Sequence, residues 1–535
     1  MTDYEISQNA HLKNIIEIGE KIGFSKEDLD LYGNYKAKIL KTDKELQNKE
    51  GKLILVTSTS PTPYGEGKTT LSLGMNDSLN QIGVNSIAVL REPSLGPVFG
   101  TKGGATGGGM SQVCPMEDIN LHFTGDIHAL TSANNLLCAI IDNHIFQGNL
   151  LQLDPNRISF QRCLDVNDRA LRSIHLNKID REDSFNISTA SEMMAILCLA
   201  SDEEDLRKRL GDIFIGYTYD NKEIYARDLK VEGALLVLLK DAIHPNLVQS
   251  LENNPVIIHG GPFANIAHGC NSLLATKMGL KVSDYVVTEA GFGSDMGALK
   301  FLDIKCRIGH LNPDLIVINT TIRGLLYNGE NSLEKGIQNL LYHIENMCYF
   351  KENILVVLNR FEKDTEEQIS YIKTFCAENH TSFAVSECYK KGSAGGIDLA
   401  HTIVKLCQKE KKDLNLLYTL EDPISIKIDK VCKKAYHASS IIIEEKAKQK
   451  IEILEKNGHT NLPICIAKTP YSISDNPKLL GYPKDFTMTV TDIKLNHGAG
   501  FITVYMGNIM TMPGLSKTPN YLNMDFVDHK IKGIF

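Results

Sequence analysis

One passage restricts the fold more than any other. Leu53–Thr57 (LILVT) is a short apolar run, and Thr62-Pro63-Tyr64-Gly65-Glu66-Gly67-Lys68-Thr69 follows it. Lys68–Ile82 then has helical character, and Ser86–Leu90 (SIAVL) is a second apolar run. Strand, glycine turn, helix and strand in that order predict a parallel pair with a crossover helix. The turn itself has the form of a phosphate-binding loop. Only the first glycine of G-x-x-x-x-G-K-[S/T] is missing, replaced by Thr62. Gly65 and Gly67 let main-chain N–H groups curl around phosphate oxygens, and the helix start adds further unpaired N–H groups. Lys68 can reach the β- and γ-phosphates, and the Thr69 hydroxyl can meet Mg²⁺. All eight residues, Thr62, Pro63, Tyr64, Gly65, Glu66, Gly67, Lys68 and Thr69, form the candidate ATP cradle. Such a cradle serves kinase-like transfer, ligation and ATPase switching alike.

Further strand candidates recur at Val256–His259, Tyr285–Thr288, Leu315–Asn319, Ile354–Asn359 and Phe383–Ser386. Helical stretches such as Asp364–Asn379 and Ile397–Lys409 lie between them. The predicted class is α/β: a phosphate-loop parallel sheet in a large N-terminal domain (1–300), with smaller α/β domains at 301–415 and 416–535. In the last of these, Lys427–Asn457 reads as mostly helix, its charged Glu444–Lys456 run forming a solvated face. Pro463–Ala467, Thr487–Lys494 and Phe501–Tyr505 read as strands.

A formal charge of −8 argues against nucleic-acid binding. The start MTDYEISQNAHLKNI has no basic end followed by an apolar core, and no run approaches a membrane span. A cytoplasmic protein is expected. Twelve cysteines occur without CxxC pairs, and Cys138, Cys198 and Cys465 sit among aliphatic residues as small core groups.

Directly after the second strand comes Arg91-Glu92, then a glycine-dense stretch to Gly109. In an open parallel sheet, ligands bind beyond the carboxyl ends of the strands. If strand order is sequential, Arg91 lies beside the phosphate loop, where a guanidinium can hold a carboxylate and a transferred phosphoryl group together. The glycine-dense stretch is expected as a loop, since glycine disfavours helix and strand interiors. Asp126 follows Gly125 as a candidate helix N-cap. His259 and His268 flank a Gly/Asn-rich turn, with a core or surface role as the simpler reading.

REPSLGPVFGTKGGATGGG (Arg91–Gly109) and PMEDINLHFTGDIHA (Pro115–Ala129) closely resemble the core signature of formate–tetrahydrofolate ligases. The resemblance continues through Gly260–Asn271, Thr288–Phe301, Leu462–Pro477 and Asn508–Pro513, and covers essentially the whole chain. It implies that formate, ATP and tetrahydrofolate give 10-formyltetrahydrofolate, ADP and phosphate through formyl phosphate. It also implies Mg²⁺, activation by K⁺ or NH₄⁺, a homotetramer, and no added dehydrogenase region.

Carried over by position, Lys68 binds the phosphates and Arg91 holds formate and then formyl phosphate. Glu92 and Asp126 lie near the reacting centre, in cation binding or in proton handling at the pterin. Apart from the resemblance, Glu289 ends the Tyr285–Thr288 strand, where it can contact Mg²⁺ through water. Phe361 and Tyr389 would sandwich the pterin. The family usually has a tryptophan at the second position, and this chain has none. The competing class is an ATPase switch without a folate pocket.

Overall fold

A computed structural model describes residues 2–46, 49–100, 105–507 and 509–534. Its centre is a twelve-stranded sheet. The main path runs Leu29–Leu31, Ala37–Ile39, Asn246–Ser250, Pro255–Ile258, Ser86–Leu90, Tyr285–Glu289, Lys52–Ser58, Leu315–Thr320, Ile354–Asn359, Ser382–Ser386. From Pro255–Ile258 onward every pairing is parallel, while the first four strands pair antiparallel. The hairpin of Gly107–Gly108 with Ser111–Cys114 hangs on Asn246–Ser250.

Ser86–Leu90, Leu315–Thr320 and Ile354–Asn359 are buried at every residue, as strands covered on both faces must be. Alternate side chains feed two cores. Ile54, Val56, Val287, Val317 and Val357 pack with Leu71, Leu399 and Ile403 on one face. Leu55, Val89, Val286, Ile318 and Val356 pack with Leu273 and Leu340 on the other.

The strand order corrects a sequence expectation. Ser86–Leu90 is not next to the phosphate-loop strand, because Tyr285–Glu289 lies between them, with Glu289 opposite Val56 and Thr288 opposite Val89. Residues 301–415 do not start a new sheet either. Leu315–Thr320, Ile354–Asn359 and Ser382–Ser386 extend the central one. Local periodicity identifies strands, but their order is decided by long-range packing.

After residue 416 a separate four-stranded sheet forms, in the order Ser440–Ile443, Thr487–Asn496, Phe501–Met506, Ile464–Ala467. Lys427–Asn457 is therefore not one helix. The β-branched run at Ser440–Ile443 pairs in parallel with Thr487–Asn496 and separates the helices Ile424–Lys430 and Glu445–Lys456. Glu445–Lys456 buries only Ala447, Ile451 and Leu454, so its charges face water.

The glycine-dense stretch is also more regular than expected. Leu95–Phe99 is a helical turn, and the Gly107–Gly108 hairpin needs glycine at φ +82° and +58° for Gly107 and Gly109. Thr101–Gly104, the middle of that signature, and Asn508 lie outside the described residues. Cys138, Cys198 and Cys465 are buried core groups, and burial raises all three thiols. Among the described residues no helix is long and apolar enough to cross a membrane.

Candidate functional site

The candidate phosphate-binding loop leaves the Lys52–Ser58 strand at its carboxyl end and is closed by side chains around Glu66. Glu66, buried, accepts hydrogen bonds from the Thr62 N–H (3.1 Å) and hydroxyl (2.7 Å) and from the Thr321 hydroxyl (2.6 Å). Thr62, the departure from the glycine pattern, is thus the residue that ties the loop shut. The strand Leu315–Thr320 and the helix Ile322–Asn328 after it hold the loop's carbonyls. Asn319 Nδ2 donates to Glu66 O (2.7 Å) and Arg323 Nη2 to Gly65 O (2.6 Å). Gly67 has φ +68°, and a Cβ there would lie 2.6 Å from Asn359 Nδ2. The helix Lys68–Gln81 begins at Gly67 with no side-chain cap, leaving its first N–H groups for an anion.

Three strand ends meet beside this loop. Lys68 Nζ donates to Ser58 Oγ (3.3 Å), whose hydroxyl donates to Phe292 O (3.1 Å). Thr69 Oγ1 donates to Glu289 Oε2 (3.0 Å), and Arg91 Nη2 lies 3.6 Å from Glu289 Oε1. Glu289 is 4 % exposed. The strand inserted between those of Lys68 and Arg91 thus ends in the carboxylate that joins the loop to the arginine. Sequence reasoning singled out all four residues but not this link, because the link depends on strand order. Gly291 follows closely, and a Cβ there would lie 2.9 Å from Arg91 Nη1.

Glu92 is fixed by its main chain, whose N–H donates to Gly260 O (2.8 Å). Its carboxyl is buried, and among the described residues Oε2 has no hydrogen-bond partner. Burial first, and then the nearby charge of Asp126, push its pKa well above the ordinary range. Asp126 is not the helix N-cap. Gly125 occupies that position at φ +91°, and Asp126 is the first helical residue. Its carboxylate pairs with buried Lys38 (2.7 Å) and accepts from Asn246 Nδ2 (2.8 Å).

His259 and His268 are core groups. Burial lowers the first to about 4 and holds the second well below its usual value. A third histidine went unnoticed in the sequence. His343 stands between Ser60 Oγ (3.1 Å) and Ser294 Oγ (2.7 Å), joining the loop to the turn after Glu289.

Phe361 follows the Ile354–Asn359 strand, and Arg323 covers its ring at 4.6 Å while lying 5.7 Å from the Tyr64 ring. Arg323 carries no sequence signal of its own beyond following a strand end. Tyr389 is 45 % exposed. Its hydroxyl donates to Asp3 (3.3 Å), and its carbonyl accepts from the Met110 N–H (2.8 Å). Among the described residues no group of three or more His, Cys, Asp or Glu is arranged to hold a metal.

At this site a glycine turn, an uncapped helix start, a threonine and an arginine converge on one buried carboxylate. The formate–tetrahydrofolate ligase family model matches residues 1–535, and the chain belongs to that family.

Proposed function

We propose that this ATP-dependent ligase works through formyl phosphate and carries no second activity. The observation that supports it is the Thr69–Glu289–Arg91 contact at three strand ends. Formate alone is a poor acyl donor, because its leaving group would be oxide. A formate oxygen attacks the terminal phosphorus, and the bond from that phosphorus to ADP breaks. Lys68 stabilises the charge spread over the transferring group, and Arg91 holds the carboxylate in line with it. N10 of tetrahydrofolate then attacks the formyl carbon, phosphate departs, and N10 loses its proton.

Thr69 Oγ1 and Glu289 Oε2 are oxygen donors of the type Mg²⁺ selects, and the bound ion would neutralise charge across the phosphate oxygens. The unpartnered Glu92 Oε2 beside Asp126 fits K⁺ or NH₄⁺ in the same way. Phe361 and Tyr389 supply aromatic faces for the pterin, with Arg323 lying 4.6 Å over the Phe361 ring. Assembly as a homotetramer, a cytoplasmic location and a domain boundary near residue 416, where the second sheet begins, belong to the same reading.

A coupled assay for 10-formyltetrahydrofolate with formate omitted tests it. ADP release that persists without formate or folate would favour the ATPase-switch class. Tyr389→Ala is expected to raise KM for tetrahydrofolate by about tenfold, the loss of one stacked face, with KM for ATP unchanged. Steady-state kinetics in each substrate check this.

A further inference from the structure

Lys305 lies on the turn Phe301–Cys306, wholly buried, and belongs to none of the groups already assigned. Its ammonium donates three hydrogen bonds, to Asn271 O (2.8 Å), Asn271 Oδ1 (2.7 Å) and Thr276 Oγ1 (2.8 Å). All three acceptors are neutral. Burying an ammonium without a carboxylate is costly, and burial lowers Lys305 to about 8. Only a lysine ammonium offers three tetrahedral donors to so close a set of oxygens.

Asn271 in turn sits across two strand ends. Its Nδ2 donates to Val89 O (2.5 Å) and to Thr288 Oγ1 (2.7 Å), and Thr288 Oγ1 itself donates to Val89 O (3.0 Å). Val89 is two residues before Arg91, and Thr288 immediately precedes Glu289. Thr276 Oγ1 donates to Asn271 Oδ1 (2.8 Å) and closes the network. The lysine therefore holds the amide that spaces the strand ends carrying the arginine and its carboxylate partner. The phosphate-loop strand lies outside this network.

We propose that Lys305 is a positioning residue for the formate-binding end of the site, acting through Asn271 on the separation of Arg91 and Glu289. The proposal rests on the reading of Arg91 as the formate holder.

The test is the full-length enzyme with Lys305→Met and, separately, Thr276→Val, which removes one acceptor and is milder. Thermal melts first establish that each variant is folded. Lys305→Met is expected to raise KM for formate by about tenfold or more, with KM for ATP within about twofold of wild type. Thr276→Val is expected to change the formate constant in the same direction by about threefold. Should Lys305→Met fail to fold, Thr276→Val decides alone. Equal rises in both constants, or no rise in the formate constant of a folded variant, would overturn the proposal. An Arg91→Ala control separates the two readings. If that variant keeps its formate KM, the assignment of Arg91 has failed, whatever Lys305 does.

Discussion

Lys68→Ala is expected to lower kcat/KM by three or more decades, about 4 kcal/mol of transition-state stabilisation. Lys68 opens the helix Lys68–Gln81, and its ammonium reaches Ser58 at the end of the adjoining strand, where the transferring group must lie. The charge it supplies is needed most when the terminal phosphoryl group is between donor and acceptor. The loss should therefore appear in kcat more than in KM for ATP. The loop's closure runs through Glu66, Thr62 and Thr321, so the variant should still fold, which a thermal melt checks. Single-turnover ATP consumption measures the effect, and near-normal turnover would mean that the phosphate site is elsewhere.

The second large effect is on stability. Lys468 and Asp295 form an ion pair at 2.7 Å, with side chains 0 % and 1 % exposed. Lys468 follows the Ile464–Ala467 strand of the C-terminal sheet, and Asp295 lies on the turn beyond Glu289. The pair thus joins the smaller sheet to the turn that follows Glu289 in the larger one. Lys468 also donates to Thr469 O (3.2 Å) and Ser472 O, and lies 5.2 Å from the Tyr436 ring. Lys468→Met leaves the Asp295 carboxylate buried and unpaired. The expected cost is about 3–5 kcal/mol, seen as a lower denaturation midpoint. The double variant Lys468→Met/Asp295→Leu should recover more than half of that loss, because neither charge is then stranded. A single variant as stable as wild type would remove this pair from the account of how the sheets are joined.

Much of this was legible in the sequence. The run Leu53–Thr57, the glycine pair and Lys68–Thr69 carry strand, loop and helix start in consecutive residues, so local chemistry suffices. The parallel strands declared themselves in the same way, as short apolar runs buried on both faces. The place of Glu289 between Lys68 and Arg91 could not be read, since it follows from Tyr285–Glu289 inserting between strands that are near neighbours in sequence. Thr62 looked like a defect in the motif until Glu66 and Thr321 appeared as its partners. Lys38, His343 and Arg323 were missed for a related reason. Each meets its partner across the fold, and no spacing rule connects them. The strand Ser440–Ile443 was absorbed into a predicted helix because its pairing partner begins more than forty residues later, at Thr487.

One measurement addresses the central claim, that the strand ends bring formate to the terminal phosphate and activate it there. Turnover with formate labelled by ¹⁸O in both oxygens, followed by mass analysis of the released inorganic phosphate, traces the bond that forms. The account predicts one labelled oxygen in each phosphate released. Phosphate free of label, released in step with 10-formyltetrahydrofolate, would contradict it.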